Sequence, residues 1–262
     1  MRFLFMVLAL VLIGFSANSK EIHSKHCLYG CPYGSPQTND LIITEIYILS
    51  SNDRTKLADW AAYKITADTI GPSRVRDWKP DPRLSDNETL EPDDYKNANN
   101  IIHTDRGHQV PLASFSGTAY WRETNYLSNI TPQKSALNQG PWKKLEEAAR
   151  KLITAGTVSA VYAMTGPLYE QSMEPLPKAD ESHLVPSGYW KILAIKEGDD
   201  IKYAAFILNQ NTGRGADFCH YQEPISAIER RSGLRFFHEL SFLEQQAVEN
   251  NPQSLAGALG CN

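Results

Sequence analysis

Two neighbouring apolar runs constrain this chain most. Tyr189–Ile195 reads YWKILAI and Tyr203–Asn209 reads YAAFILN, and the EGDD between them is a turn signal. Short runs of this kind, rich in β-branched and aromatic residues, read as buried strands. Three further stretches follow the same logic. Leu41–Ile48 (LIITEIYI) is one expected strand, Trp60–Ile65 (WAAYKI) is a partner for it, and Ser159–Tyr169 (SAVYAMTGPLY) reads as a strand that ends in a turn at its Gly-Pro. The clearest helix is PWKKLEEAARKLI from Pro141 to Ile153. Proline suits a first helical position, and Trp142, Leu145, Ala149, Leu152 and Ile153 recur at helical spacing. A second helix is predicted from Pro224 to Ser232, stopped by Gly233. Gly71–Asn100 is rich in Pro, Asp and Asn and reads as loop. Strands in neighbouring groups with helices between them predict an α+β (mixed α/β) fold: a largely antiparallel central sheet flanked by helices.

The N-terminus stands apart from that pattern. Arg2 is followed by an apolar run from Phe3 to Phe15 and then by Ser16, Ala17, Asn18 and Ser19, the order of a secretory signal. We read residues 1–19 as a signal peptide cut after Ser19 and 20–262 as one domain. The apolar run is short for a membrane span, and no other stretch approaches about 20 apolar residues. The mature chain is therefore expected outside the cell, through the periplasm in a Gram-negative bacterium, and off the membrane. Export makes the four cysteines legible as disulfides. Four allow three pairings. The simplest joins Cys27 to Cys31 across a small turn-like loop and Cys219 to Cys261. Zinc is the rival reading, and it needs closely spaced ligand pairs that Cys219 and Cys261 do not form. The formal charge of −4 argues against gripping nucleic acid by bulk positive charge. It leaves room for a local basic cleft.

Two stretches carry chemistry. The first is TDRGHQVPLASF, Thr104–Phe115, which sets Asp105, Arg106, Gly107 and His108 in a row. The second runs from Asn125 to Arg150. It holds Asn125, Asn129 and Asn138, then Trp142, Glu146 and Arg150 along one helical face. Each residue has a plain structural reading. Asparagines make turns and caps, and Glu146 with Arg150 is an exposed helix pair worth about 0.3 kcal/mol. Taken together they form a working set for phosphodiester hydrolysis. An amide oxygen is a hard, neutral ligand for Mg²⁺, a neutral histidine takes a proton from water near neutral pH, and arginines hold a phosphodiester and its developing charge. His103 and His183 are read as structural, and there is no HExxH helix or G-x-S-x-G elbow in the chain. The absence of the elbow counts against a secreted lipase or protease.

These motifs resemble the DNA/RNA non-specific endonuclease family, the Serratia-type nucleases with a ββα-metal active site. The resemblance rests on Asp105-Arg106-Gly107-His108 followed by Gln109, Pro111, Leu112, Ala113 and Ser114, and on Asn129-Ile130-Thr131-Pro132-Gln133 leading to Leu137-Asn138-Gln139-Gly140 and Trp142. It extends to Arg74-Val75-Arg76-Asp77-Trp78-Lys79, to TGPLYE from Thr165, to PSGYWK from Pro186 and to the cysteine placement. What it implies is a ββα-metal nuclease core in which His108 is the general base. Asn138 is then the direct ligand of Mg²⁺, with Mn²⁺ as a substitute, and Glu146 holds the metal's waters. Arg106 and Arg76 lie near the scissile phosphate with Arg150 assisting, and Asn125 and Asn129 are polar positions lining the site. Gly107 is expected to permit close approach of backbone or substrate, and Asp105 to orient an arginine. The implied activity is Mg²⁺-dependent cleavage of single- and double-stranded DNA and RNA to 5′-phosphate ends, by a chain compatible with a homodimer. The alternative is a secreted nucleic-acid-binding protein on a nuclease fold without catalysis, against which the intact His108, Asn138 and Glu146 argue.

Overall fold

The computed structural model describes residues 22–198 and 200–261; the segment read as a signal peptide lies outside the described residues. Six strands form one sheet in the order β1-β2-β3-β6-β7-β8, with β1 Asp40–Ile43, β2 Ile48–Asn52, β3 Leu57–Ile65, β6 Val161–Leu168, β7 Gly188–Glu197 and β8 Asp200–Asn209. Every neighbouring pair is antiparallel. Between β3 and β6 the chain leaves the sheet and builds a separate two-stranded ribbon, β4 Thr104–His108 with β5 Ile130–Lys134. Six α-helical segments accompany the strands among the described residues: α1 Ala98–Ile102, α2 Leu112–Phe115, α3 Ser135–Leu137, α4 Lys143–Thr154, α5 Ile225–Ser232 and α6 Phe242–Asn250.

Leu41–Ile48 is not one strand but the edge strand β1, a turn, and the first residue of β2, which is paired on both sides. Thr44 makes the turn: its Oγ1 accepts from the backbone of Ile46 at 3.1 Å and of Tyr47 at 2.9 Å and donates to the Tyr47 carbonyl. A threonine side chain that satisfies backbone groups locally competes with the ladder, and the β-branched composition masks that competition.

The near-continuous apolar character of β7 and β8 has a simple cause. Both faces of the sheet are covered, so both sets of alternating side chains are buried. Tyr189, Leu193 and Ile195 face the core that holds Leu145, Ala149, Leu152 and Ile153 of α4. Trp190, Ile192 and Ala194 face the opposite core, with Ile228 of α5 and Phe236, Phe237 and Leu240. Lys191 takes the α4-side register and is 0% exposed. The helix α5 follows the predicted bounds, with Pro224 at its N-cap and Gly233 at φ +77° past its end.

Both disulfides form as the simplest pairing had them, Cys27–Cys31 and Cys219–Cys261, with Cα separations of 5.0 and 5.2 Å. The second ties the C-terminus over the α4-side core, where Leu255, Ala256 and Leu259 are buried. No helix among the described residues is long and apolar enough to cross a membrane.

Candidate active site

The ribbon and α4 together form a ββα unit whose functional side chains converge on one cleft of about 420 Å³. Arg76, Asp105, Arg106, His108, Asn138, Glu146 and Arg150 all line it. In β4 the alternation of an extended strand sends Arg106 and His108 to one side and Asp105 and Gly107 to the other. Gly107 is required by its own ribbon. A Cβ there would lie 2.6 Å from Gln133 Oε1 and 2.7 Å from Gln133 Cβ. What approaches Gly107 closely is therefore the β5 side chain rather than a substrate.

Asn138 stands at the C-cap of α3, and Gly140, at φ −106° and ψ −116°, breaks the helical path between α3 and α4. Pro141 directly follows that break and opens the helical run that continues through Trp142 into α4, as its sequence position predicts. Gly140 fits because a Cβ would sit 2.5 Å from the Arg214 carbonyl oxygen. Asn138 Nδ2 donates to Asp105 Oδ2 at 3.0 Å. An ionised carboxylate only accepts, so the atom facing it must be the amide nitrogen. The amide oxygen of Asn138 is thereby left for the cleft. Asp105 orients this amide and not an arginine. It also accepts from Asn99, Ser135 and Gln139 at 2.6, 2.7 and 2.7 Å. Burial raises the Asp105 pKa, but these hydrogen bonds outweigh it and hold the carboxyl below its ordinary range.

In the first turn of α4, Glu146 meets a cation from below. Its nearest ionic partner is not Arg150 but Lys191 Nζ at 3.6 Å. Lys191 also donates to Tyr63 Oη at 3.0 Å and lies 4.5 Å from the centroid of Trp142. Burial pushes the Glu146 carboxyl up, opposed by Lys191 and Arg150, and pushes the Lys191 ammonium down to about 8, opposed by Glu146. Glu146 Oε1 is buried without a hydrogen bond. Arg150 Nη1 reaches Ser114 Oγ at 3.4 Å instead of Glu146.

His108 is held from two sides. Its Nε2 lies 3.4 Å from Asn125 Oδ1, and its ring stands 5.2 Å from that of Trp78. An amide oxygen only accepts, so this contact selects the tautomer with hydrogen on Nε2 and leaves the lone pair on Nδ1. Burial and the charge of Arg76 lower the His108 pKa to about 4, against the pull of Asn125. The imidazole is neutral near pH 7 for that reason. The loop that carries Arg76 and Trp78 is stitched to the end of the Trp121–Asn125 turn: Lys79 N donates to the Asn125 carbonyl at 3.3 Å, and Leu127 N to the Lys79 carbonyl at 2.9 Å. Arg106 stacks near Trp78 and Tyr95, at 5.8 and 5.4 Å, and donates Nη2 to the Pro92 carbonyl at 2.6 Å.

Asn129 is not a cleft residue. It is fully buried, and its amide accepts from Val110 N and donates to the carbonyls of Val110 and Thr124. Its work is to lock the turn that carries Asn125 to the end of β4. His103 is exposed at the end of α1, and the ring of His183 bonds Leu176 N and the Glu181 carbonyl, so both are structural. Lys191 is the site residue that sequence reasoning does not single out beyond its place in PSGYWK. A lysine inside an otherwise apolar buried run is the signal that could have found it.

The cleft fits a small hard cation. It offers the amide oxygen of Asn138 and the carboxylate of Glu146, whose Oε1 is buried with Lys191 near it but without a hydrogen bond, both hard oxygen donors. Two carboxylate groups elsewhere, Asp40–Asp53–Glu88 and Asp94–Asp180–Glu181, also bring ligand atoms within 4.8 Å of one another, but none of these residues lines the cleft.

A ββα unit that places a neutral histidine, an oriented amide, a carboxylate and three arginines in one cleft belongs to the class of phosphodiester-cleaving enzymes. The chain belongs to the DNA/RNA non-specific endonuclease family, whose sequence profile it matches over residues 24–242. It is 44% identical to a nuclease of Serratia marcescens over 258 residues, which is 98% of this chain and 97% of that one. It is 30% identical to nuclease C1 of Cunninghamella echinulata var. echinulata, over 79% of this chain and 87% of that one. Its fold matches the crystal structure of the EndoG/EndoGI complex with a TM-score of 0.70, at 23% identity, covering 82% of this chain and 91% of that one.

Proposed function

We propose that residues 20–262 form one secreted nuclease domain that hydrolyses phosphodiester bonds of single- and double-stranded DNA and RNA with Mg²⁺, leaving 5′-phosphate ends. The observation that carries this reading is the convergence of the His108 lone pair, the free Asn138 oxygen and Glu146 on the one cleft that Arg76, Arg106 and Arg150 also line. Export is supported by the N-terminal pattern and by the two disulfides.

Arg76, Arg106 and Arg150 bind the phosphodiester and offset its charge as the transition state forms. His108 Nδ1 accepts a proton from water, whose oxygen bonds to phosphorus while the bond from phosphorus to the 3′ oxygen breaks. The phosphate stays on the 5′ side, the 3′ oxygen takes a proton from solvent, and His108 returns its own proton to bulk water. Asn125 holds the imidazole in the reactive tautomer, and Trp78 blocks its rotation. Asn138 Oδ1 would hold Mg²⁺ and Glu146 its waters, and the ion would neutralise charge on the phosphate and leaving oxygens. Lack of sequence preference follows from this set, because contacts to phosphate carry no direct base information. Incubation with supercoiled plasmid and with RNA, with and without EDTA, tests the reading. Degradation of both, abolished by EDTA and restored by Mg²⁺, is expected. Digestion of one sugar type alone removes the non-specific label, and binding without cleavage selects the non-catalytic alternative.

A further inference from the structure

A second basic feature adjoins the cleft without lining it. Trp121 is only 7% exposed, and guanidinium groups cover it. Arg122 Cζ lies 4.5 Å and Arg74 Cζ 5.4 Å from its ring centroid. Arg74 is fixed further by its Nε, which donates to the Ser116 carbonyl at 2.8 Å. Both arginines are exposed, and Tyr120 beside them is 47% exposed. Neither has a carboxylate within 4.0 Å among the described residues. The adjacent Glu123 is taken by Arg83 at 3.4 Å. In a chain of net charge −4, two uncompensated cations on one ring are a local concentration of positive potential.

The platform is joined to the site along two paths. Arg74 lies two residues before Arg76, so their Cα atoms are at most about 7 Å apart, and Arg76 lines the cleft. Trp121 opens the turn Trp121–Asn125, which ends on the asparagine that contacts His108. A guanidinium stacked on an aromatic face keeps its N–H edge outward, ready for phosphate oxygens. Side chains already fixed by stacking lose less freedom on binding.

We propose that Arg74, Trp121 and Arg122 form a secondary subsite for the phosphate backbone of a long nucleic-acid substrate, holding phosphates that flank the one at His108. This rests on the nucleic-acid reading of the cleft. The subsite adds affinity for polymers and leaves the chemistry at the scissile bond untouched.

The test compares wild type, Arg122→Ala, Arg122→Glu and the Arg74→Ala/Arg122→Ala double variant on a 30-nucleotide oligonucleotide and on a dinucleotide with a single phosphodiester. For the oligonucleotide the double variant should raise KM on the order of tenfold, equivalent to about 1.4 kcal/mol, with kcat unchanged. The slope of log KM against log salt should become shallower by about 0.7 for each single-strand phosphate that the variant no longer neutralises. Arg122→Glu should exceed Arg122→Ala. Dinucleotide cleavage should be unaffected. An unchanged KM and salt slope on the oligonucleotide overturns the proposal. So does a parallel loss on the dinucleotide, which would mean that the arginines act only by supporting the Trp121–Asn125 turn. Anisotropy of a labelled oligonucleotide in EDTA reads the subsite without catalysis. Weaker binding by the double variant supports it even for a protein that cuts nothing, and equal binding sinks it.

Discussion

Asp105 holds the amide nitrogen of Asn138 at 3.0 Å and so aims the amide oxygen into the cleft. Partners that orient a metal ligand typically carry 10- to 100-fold of metal affinity. Asp105→Ala frees the amide to rotate and leaves Ser135, Gln139 and Asn99 without their common acceptor. We expect the Mg²⁺ concentration for half-maximal cleavage to rise by roughly tenfold or more, with maximal rate largely regained at high Mg²⁺. A Mg²⁺ titration of plasmid nicking checks this; an unchanged midpoint would make Asp105 a purely structural residue.

His108→Ala and Asn138→Ala should part company in the same titration. Loss of a general base costs about 10²–10⁴ in turnover, and added metal cannot replace a proton acceptor. Loss of the ligand should be partly rescued by metal. If Mg²⁺ restores the His108 variant, the two roles are the wrong way round.

The acid side of the activity profile follows from the environment of His108. Burial and Arg76 disfavour the imidazolium, so the folded pKa is depressed, to about 4. The neutral base therefore persists below the ordinary histidine value of about 6.5, and activity should fall only as pH drops toward the depressed pKa. Histidine NMR titration of Arg76→Ala should show the His108 resonance moving up toward its ordinary midpoint, because one of the two depressing causes is gone. A midpoint that stays where it was would assign the whole shift to burial.

Lys191 is the cation beneath Glu146, at 3.6 Å and with no solvent exposure. Removing one partner of a buried ion pair typically costs about 3–5 kcal/mol. Lys191→Met keeps the apolar stem that packs on Trp142, so urea unfolding should show a loss nearer the lower end of that range. The Glu146 carboxyl, raised already by burial, should rise further without its counter-charge. The acid limb of cleavage then moves to higher pH. Full stability together with an unmoved pH profile would show that the pair contributes nothing to either.

The Cys219–Cys261 bridge closes a separation of 42 residues. The chain-entropy argument assigns such a loop about 4 kcal/mol. Replacing both cysteines by serine should lower stability to chemical denaturation by roughly that amount. Release of the C-terminal segment should come first, read as early proteolysis after Leu255, because that segment lies over the α4-side core.

The sequence by itself determined the strand-forming segments β3, β6, β7 and β8, the helices α4 and α5, the disulfide-forming cysteines and the identity of the cleft residues His108, Asn138, Glu146, Arg76, Arg106 and Arg150. The elements were legible because hydrophobic period and turn chemistry are local properties, and the cysteines because export favours disulfides; the cleft residues were named by the resemblance of their motifs to the nuclease family. The tertiary structure alone decided the rest. It split Leu41–Ile48 at Thr44 and broke the helical path at Gly140, between α3 and α4. It formed β5 across a proline whose carbonyl accepts from Tyr189 at 2.6 Å and Gln210 at 2.8 Å. It also made an α-helix of Phe242–Asn250, whose exposed Phe242 and Leu243 leave little amphipathic pattern to read. The site's supporting pairs were hidden for the same reason. Asp105 turned to Asn138 rather than to an arginine, Glu146 to Lys191 rather than to Arg150, and Asn129 inward to Val110. Each choice pairs residues far apart in the chain. A buried polar group takes whichever partner the packed strands bring within reach, because leaving it unpaired costs more than any local preference supplies.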